Sequence, residues 1–241
     1  MWDAHVDRWL DGDDLLQEPL DAWWRSYAGK GAGAPTRNAF PEPFVGSFDR
    51  PKLVMLGLNP GVAVPELQGI AGDFSNAIRD TSYSRWAAGD PYGSAAWTNL
   101  RGKNTYRAAR LRFAERWLGE EVEGNELLTV ELYPWHSEKV TASLRPPDDV
   151  LEPLIWAPLA ALPVPELFAF GAPWAQVLGR LGMEPIEHLG RGGKDWGSKV
   201  ASRTVLTYET PAERRLIVIW QSGYAGPPGP EDTARLRDAL T

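Results

Sequence analysis

Apolar residues along this chain form two kinds of run. Five are short and nearly continuous: Lys52 to Gly57, Leu127 to Leu132, Glu166 to Phe170, Arg203 to Tyr208 and Arg215 to Trp220. Each is strand-sized, and most are bounded by Gly, Pro or a polar turn, the pattern of strands buried on both faces. The others are spaced for helices. Residues 2 to 28 set Trp9, Leu10, Leu15, Leu16, Leu20, Trp23 and Trp24 among acidic positions, which predicts one or two amphipathic helices laid over the sheet. A helix is predicted over 104–118, with Gly119 at its end. Further helices are predicted from Asp148 or Asp149 to about Leu162, from Trp174 to Leu181 and from Glu231 to Leu240.

Strands separated by helices imply a parallel sheet with helices on both faces. Residues 29–50, rich in Gly, Pro and Asn, read as an irregular approach to the first strand. The segment 62–99 is too long for an idle connector and predicts functional loops. No repeat or linker divides the chain, so a single domain is expected, with residues 1–28 as a helical cover and 40–240 as the core.

Composition narrows the chemistry. The absence of cysteine excludes disulfides, iron–sulfur clusters and thiolate catalysis. No apolar run approaches the roughly 20 residues of a membrane span. The N-terminus does not read as a secretory signal, which predicts a cytoplasmic protein with no membrane partner. A net charge of −7 argues against indiscriminate nucleic-acid binding but allows a local basic patch. The 12 tryptophans suit a large core or a stacking surface.

In such a sheet, ligands bind beyond the carboxyl ends of the strands. The candidate residues there are Asn59 after the first run, Tyr133, His136 and Ser137 after the second, Gly171 after the third, and Gln221 and Ser222 after the last. Pro60 biases Asn59 toward an extended backbone, and Gly61 permits a turn or a close ligand approach. A carboxamide fixed in this way can orient water; the same sequence also suits a turn in which Asn59 bonds its own backbone. His136 has the chemistry of a general acid or base, or of a buried hydrogen-bonded group. Glu42 and Glu131 are candidate pocket carboxylates or salt-bridge partners. No His, Asp or Glu spacing suggests a metal. Among Arg101, Lys103, Arg107, Arg110, Arg112 and Arg116, Arg107 and Arg110 are taken as phosphate ligands, against the alternative of a charged, solvated helix face. Gly190-Arg191-Gly192-Gly193-Lys194 lacks the full spacing of a phosphate-binding loop.

Leu56-Gly57-Leu58-Asn59-Pro60-Gly61 resembles the first active-site motif of the uracil-DNA glycosylase superfamily, above all its mismatch-specific uracil and thymine branch. Pro41 to Gly46 and Glu131 to Ser137 resemble an uncharacterised bacterial group with the same apparent core, and together the likeness runs over roughly residues 40–240. The resemblance implies a three-layer α/β/α fold with a short, mostly parallel central sheet, and a pocket for a flipped-out base at the strand ends. It implies hydrolysis of an N-glycosidic bond without a cofactor, on a damaged or modified base in DNA or a nucleoside. Asn59 would place the water, Gly57, Leu58, Pro60 and Gly61 would shape the pocket, and Phe74 would be a stacking platform. Two departures stand out. Gln221-Ser222-Gly223-Tyr224 replaces a His-containing motif after the last strand, and the second strand ends in Tyr133 and His136 where the best-known branches have a uracil-reading asparagine. The base is therefore not implied, and a catalytically silent base- or nucleotide-binding protein of the same fold is the alternative.

Overall fold

A computed structural model describes all residues except 14, 28, 141–145 and 211. All five apolar runs are strands, joined by two more that their composition hides. In chain order these are β1 (Phe44–Val45), β2 (Leu53–Gly57), β3 (Leu127–Glu131), β4 (Glu166–Phe170), β5 (Glu187–Gly190), β6 (Thr204–Glu209) and β7 (Arg215–Trp220). They form one sheet in the order β1-β3-β2-β4-β7-β6-β5. Its centre, β3-β2-β4-β7, is parallel.

The sheet is parallel at its centre, as expected of a mostly parallel sheet, but its flanks are antiparallel. β1 runs antiparallel to β3, β6 to β7 and β5 to β6, so the sheet is mixed. The reason lies in the connection: only residues 210–214 separate β6 from β7, while a parallel crossover needs a dozen or more.

The helices are α1 (Trp2–Leu10), α2 (Leu20–Arg25), α3 (Pro65–Gln68), α4 (Asp73–Asp80), α5 (Tyr83–Ala88), α6 (Ala95–Arg101), α7 (Thr105–Leu118), α8 (Asp148–Leu151), α9 (Ala157–Ala160), α10 (Ala172–Arg180) and α11 (Pro230–Leu240). A π-helical turn, Glu152–Trp156, joins α8 to α9. Asn104 caps α7 by accepting from the Arg107 amide at 3.0 Å, and Gly119 ends it in the left-handed conformation. The segment 62–99 is mostly short helices rather than loops.

Alternation along the strands sorts the core into two layers. Leu53, Met55, Phe168, Phe170, Ile217 and Ile219 pack with Phe113 and Trp117 of α7 and Leu236 and Leu240 of α11. Val54, Leu56, Leu167, Ala169, Leu216 and Val218 face the opposite layer, which holds residues of α1, α2, α4, α5 and α8 to α10. Each of these larger side chains, Ala169 apart, contributes about 1.5–3 kcal/mol by leaving water, so helices bury both faces of the sheet. The N-terminal helices seal one flank: α1 rests on α4 and α5, Trp9 meets Phe40 edge-on, and Trp23 meets Trp135 edge-on. No helix among the described residues is long and apolar enough to cross a membrane.

Candidate functional site

From β2 the chain passes outward to β3, then returns to β4 on the other side of β2. Connections leaving in opposite directions open a crevice beyond the carboxyl ends of β2 and β4. A cleft of about 1140 Å³ lies there, reached by the ends of β2, β3 and β7, by Gly171 after β4, and by α6 and the start of α7. Gly171, at φ +110°, holds a backbone conformation that a side chain would strain, and a Cβ there would meet the end of the Leu58 side chain at 2.8 Å. Trp174 Nε1 donates to the Gly57 carbonyl at 2.9 Å and fixes the start of α10 against the tip of β2.

Two carboxamides are held in the cleft with opposite polarity. Asn59 Nδ2 donates to the Ser137 carbonyl at 3.0 Å and to Ser137 Oγ at 2.9 Å. Because a carbonyl only accepts, this bond fixes the amide's orientation. Nδ2 is thereby engaged by Ser137, and Oδ1, an acceptor, is left to the cleft that Asn59 lines. Ser137 Oγ in turn donates to the Lys139 carbonyl at 3.1 Å, which leaves its lone pairs for Asn59. At the end of β7 the arrangement is reversed. Gln221 Oε1 accepts from Arg203 Nε at 3.1 Å and Nη2 at 2.6 Å, so its Nε2, a donor, is the free end. Arg203 is braced by Asp232, which also accepts from Ser198 Oγ at 3.1 Å and the Lys199 amide at 3.0 Å.

The floor carries two buried carboxyl groups. Glu42, 2% exposed, accepts from Gln68 Nε2 on one oxygen and from the Tyr92 hydroxyl on the other. Gln68 is oriented for this by accepting from the Val64 amide at 2.6 Å. Burial, then the neighbouring Glu42 charge, hold the Tyr92 hydroxyl well above its ordinary pKa, so it stays a donor. Glu131, 6% exposed, meets Arg110 Nη1 at 3.5 Å through Oε1, while Oε2 has no partner among the described residues. Burial raises its pKa; Arg110 opposes that shift and Glu42 adds to it.

The sequence candidates separate accordingly. Leu58, Asn59, Pro60, Gly61, Gln221, Arg107 and Arg110 line the cleft. Gly57 lies beneath it against the Glu131 carboxyl, and Ser137 stands behind Asn59. Ser222 is exposed and outside the lining. His136, fully buried, sits behind the floor with Nε2 3.4 Å from Glu42 Oε1. Tyr133 faces away, its hydroxyl donating to the Trp24 carbonyl at 3.2 Å. Phe74, 2% exposed, lies nearly parallel to Trp97 at 6.4 Å, and it is Trp97 that reaches the cleft.

Arg107 and Arg110 belong to the buried stripe of α7 with Phe113, Ala114 and Trp117, as their helical spacing requires. Arg107 is committed to Asp90 at 2.6 Å and to the Gly124 carbonyl, and Arg110 to Glu131 and Tyr106. The exposed cations of the lining are Arg101 and Lys139. In the Gly-rich stretch the amides of Gly190, Gly193 and Lys194 all donate within their own turn.

Gln68, Tyr92, Trp97, Tyr106, Thr129 and Tyr224 also line the cleft, and sequence reasoning did not single them out. A signal existed for Thr129. It and Glu131 are the polar members of β3, two residues apart and therefore on one face of a buried strand. No group of three or more His, Asp or Glu side chains among the described residues is placed to hold a metal ion.

Fold and site together define an α/β protein with a switch-point cleft, walled by two immobilised carboxamides and floored by buried carboxyl groups. No protein-family model matches the chain, and no curated protein matches its sequence.

Proposed function

We propose that this chain is a glycosylase-like hydrolase that cleaves the N-glycosidic bond of a damaged or modified base in a nucleotide or in DNA. One observation carries the reading: Asn59 offers an immobilised acceptor and Gln221 an immobilised donor to the same cleft. Glycoside hydrolysis of this kind develops positive charge on the sugar and negative charge on the departing base. Asn59 Oδ1 accepts a hydrogen bond from the attacking water and aligns it with the sugar carbon. Gln221 Nε2 donates to the leaving base; the water oxygen bonds to the sugar carbon as the bond from that carbon to the base nitrogen breaks, and the proton the water sheds passes through solvent to the departing base. Neither group titrates, and each is oriented before the substrate arrives, so no reorganisation is needed as charge develops.

Trp97, Tyr106 and Tyr224 supply aromatic faces for an extruded base, and the exposed charges of the lining, Arg101 and Lys139, suit the phosphates that flank it. The superfamily likeness of residues 56–61 agrees with this assignment. Its expected stacking residue moves from Phe74 to Trp97, because Phe74 lies behind that ring.

The test is base release from oligonucleotides carrying uracil, hypoxanthine, xanthine, a thymine mismatch or alkylated purines. Release is expected for at least one, with Asn59→Ala lowering turnover roughly 10²–10³-fold. No release from any of them, or release unaffected by Asn59→Ala, overturns the proposal. A second reading, base binding without hydrolysis, draws on the burial of His136, which leaves Gln221 as a neutral partner for an anionic base. Saturable, salt-sensitive binding without release is its signature.

A further inference from the structure

The floor of the cleft is unfinished in a chemically specific way. Glu131 Oε2 and Thr129 Oγ1 are buried side-chain atoms without a hydrogen-bond partner among the described residues, in residues 6% and 5% exposed. Both residues line the cleft and stand on one face of β3. The remaining carboxylate oxygen, Oε1, has only the long 3.5 Å contact with Arg110, whose other terminal nitrogen is turned to Tyr106. Glu42, the neighbouring carboxyl group, is by contrast satisfied on both oxygens.

A buried carboxylate with one oxygen unpaired and the other held only by a long contact is costly to desolvate. Packing has been adapted to keep it there. Gly57 stands opposite Glu131 in the β2–β3 register, and any Cβ at 57 would lie 2.6 Å from the carboxyl carbon. A carboxylate oxygen pair is matched by two parallel N–H donors, as in its pairing with a guanidinium fork. Among nucleobases the edge with that geometry is a ring N–H beside an exocyclic amine.

We propose that Glu131 is the base-reading residue of this cleft and that it selects a guanine-type base, including alkylated derivatives that keep the N–H and amine edge. The inference rests on the reading of the cleft as a base pocket and deepens it from an unspecified base to one class. Thr129 Oγ1 supplies a further acceptor beside the carboxylate, and Arg101 and Lys139 face the phosphate. Uracil, thymine and hypoxanthine are disfavoured, because each lacks the amine beside its ring N–H and leaves a carboxylate oxygen unpaired.

The experiment titrates the full chain with guanosine monophosphate and with inosine monophosphate, which differ by that amine alone, and follows tryptophan fluorescence, since Trp97 lines the cleft. Guanosine monophosphate is expected to bind about tenfold or more tightly, the cost of stranding a buried acceptor. Glu131→Gln, nearly equal in size and shown folded by circular dichroism, should bring the two to near parity. Equal binding in the unsubstituted protein, or a preference that survives Glu131→Gln, overturns the assignment while the base pocket stands. If neither nucleotide binds, this inference falls, and base release from the oligonucleotides decides separately whether the base-pocket reading stands.

Discussion

Replacing Gly57 by alanine tests the packing on which the floor depends. The new Cβ would lie 2.6 Å from Glu131 Cδ and Oε1, and closer still to Oε2, inside a fully buried strand pair. Overpacking of this kind costs about 1–3 kcal/mol. It is offset by about 0.5–1 kcal/mol, because alanine loses less backbone entropy than glycine within a strand. A net destabilisation of up to about 2.5 kcal/mol follows, equivalent to at most roughly 10 °C in Tm for a chain of this size. The decisive assay is a double-mutant cycle by urea unfolding, with Gly57→Ala introduced both into the native chain and into Glu131→Ala. Once the carboxylate is gone, the Cβ has space, so the sign should reverse: Gly57→Ala becomes neutral, or stabilising by up to about 1 kcal/mol. The same cost in both backgrounds would refute the reasoning, because the clash would then lie with something other than Glu131.

Other outcomes follow from the same structure. Ser137→Ala removes one of two acceptors for Asn59 Nδ2 but keeps the carbonyl, so base release should fall well short of the loss from Asn59→Ala; equal losses would show that the hydroxyl alone orients the amide. Asp232→Ala leaves the Arg203 guanidinium, 6% exposed, without its carboxylate and should cost about 3–5 kcal/mol in chemical unfolding. His5 is held near a pKa of about 4, chiefly by burial and further by Arg8 and Arg37, with Asp13 opposing. The unfolded chain therefore binds the proton first: its share of stability is intact above pH 6.5 and is lost as pH falls toward 4, on the order of 1–3 kcal/mol. His5→Gln should flatten that part of the stability profile, and an unchanged slope between pH 6.5 and 4 would contradict the assignment.

What the chain makes legible is set by local periodicity. Continuous apolar runs are strands because only a strand buried on both faces needs them. β1 and β5 are not legible in the sequence because a two-residue edge strand and the polar Glu187-His188-Leu189-Gly190 carry no such period. α7 obeys the same rule, against the expectation that Arg107 and Arg110 bind phosphate. Helical spacing instead turns Arg107 and Arg110 inward with Phe113 and Trp117, and leaves Arg101, Lys103 and Arg112 outside.

The site divides along a similar line. Sequence alone determined that Asn59 and Gln221 stand at strand ends, because the apolar blocks stop there and Pro and Gly follow. It also marked Glu42 and Glu131 as candidate carboxyl groups. Which groups meet was a matter for tertiary structure alone. Strand order places β2 beside both β3 and β4, and so sets Asn59 against Ser137, Gly57 against Glu131, and His136 behind Glu42 instead of in the cleft. Those partners are separated by tens of residues along the chain, and no local pattern encodes which lone pairs remain free once they are brought together.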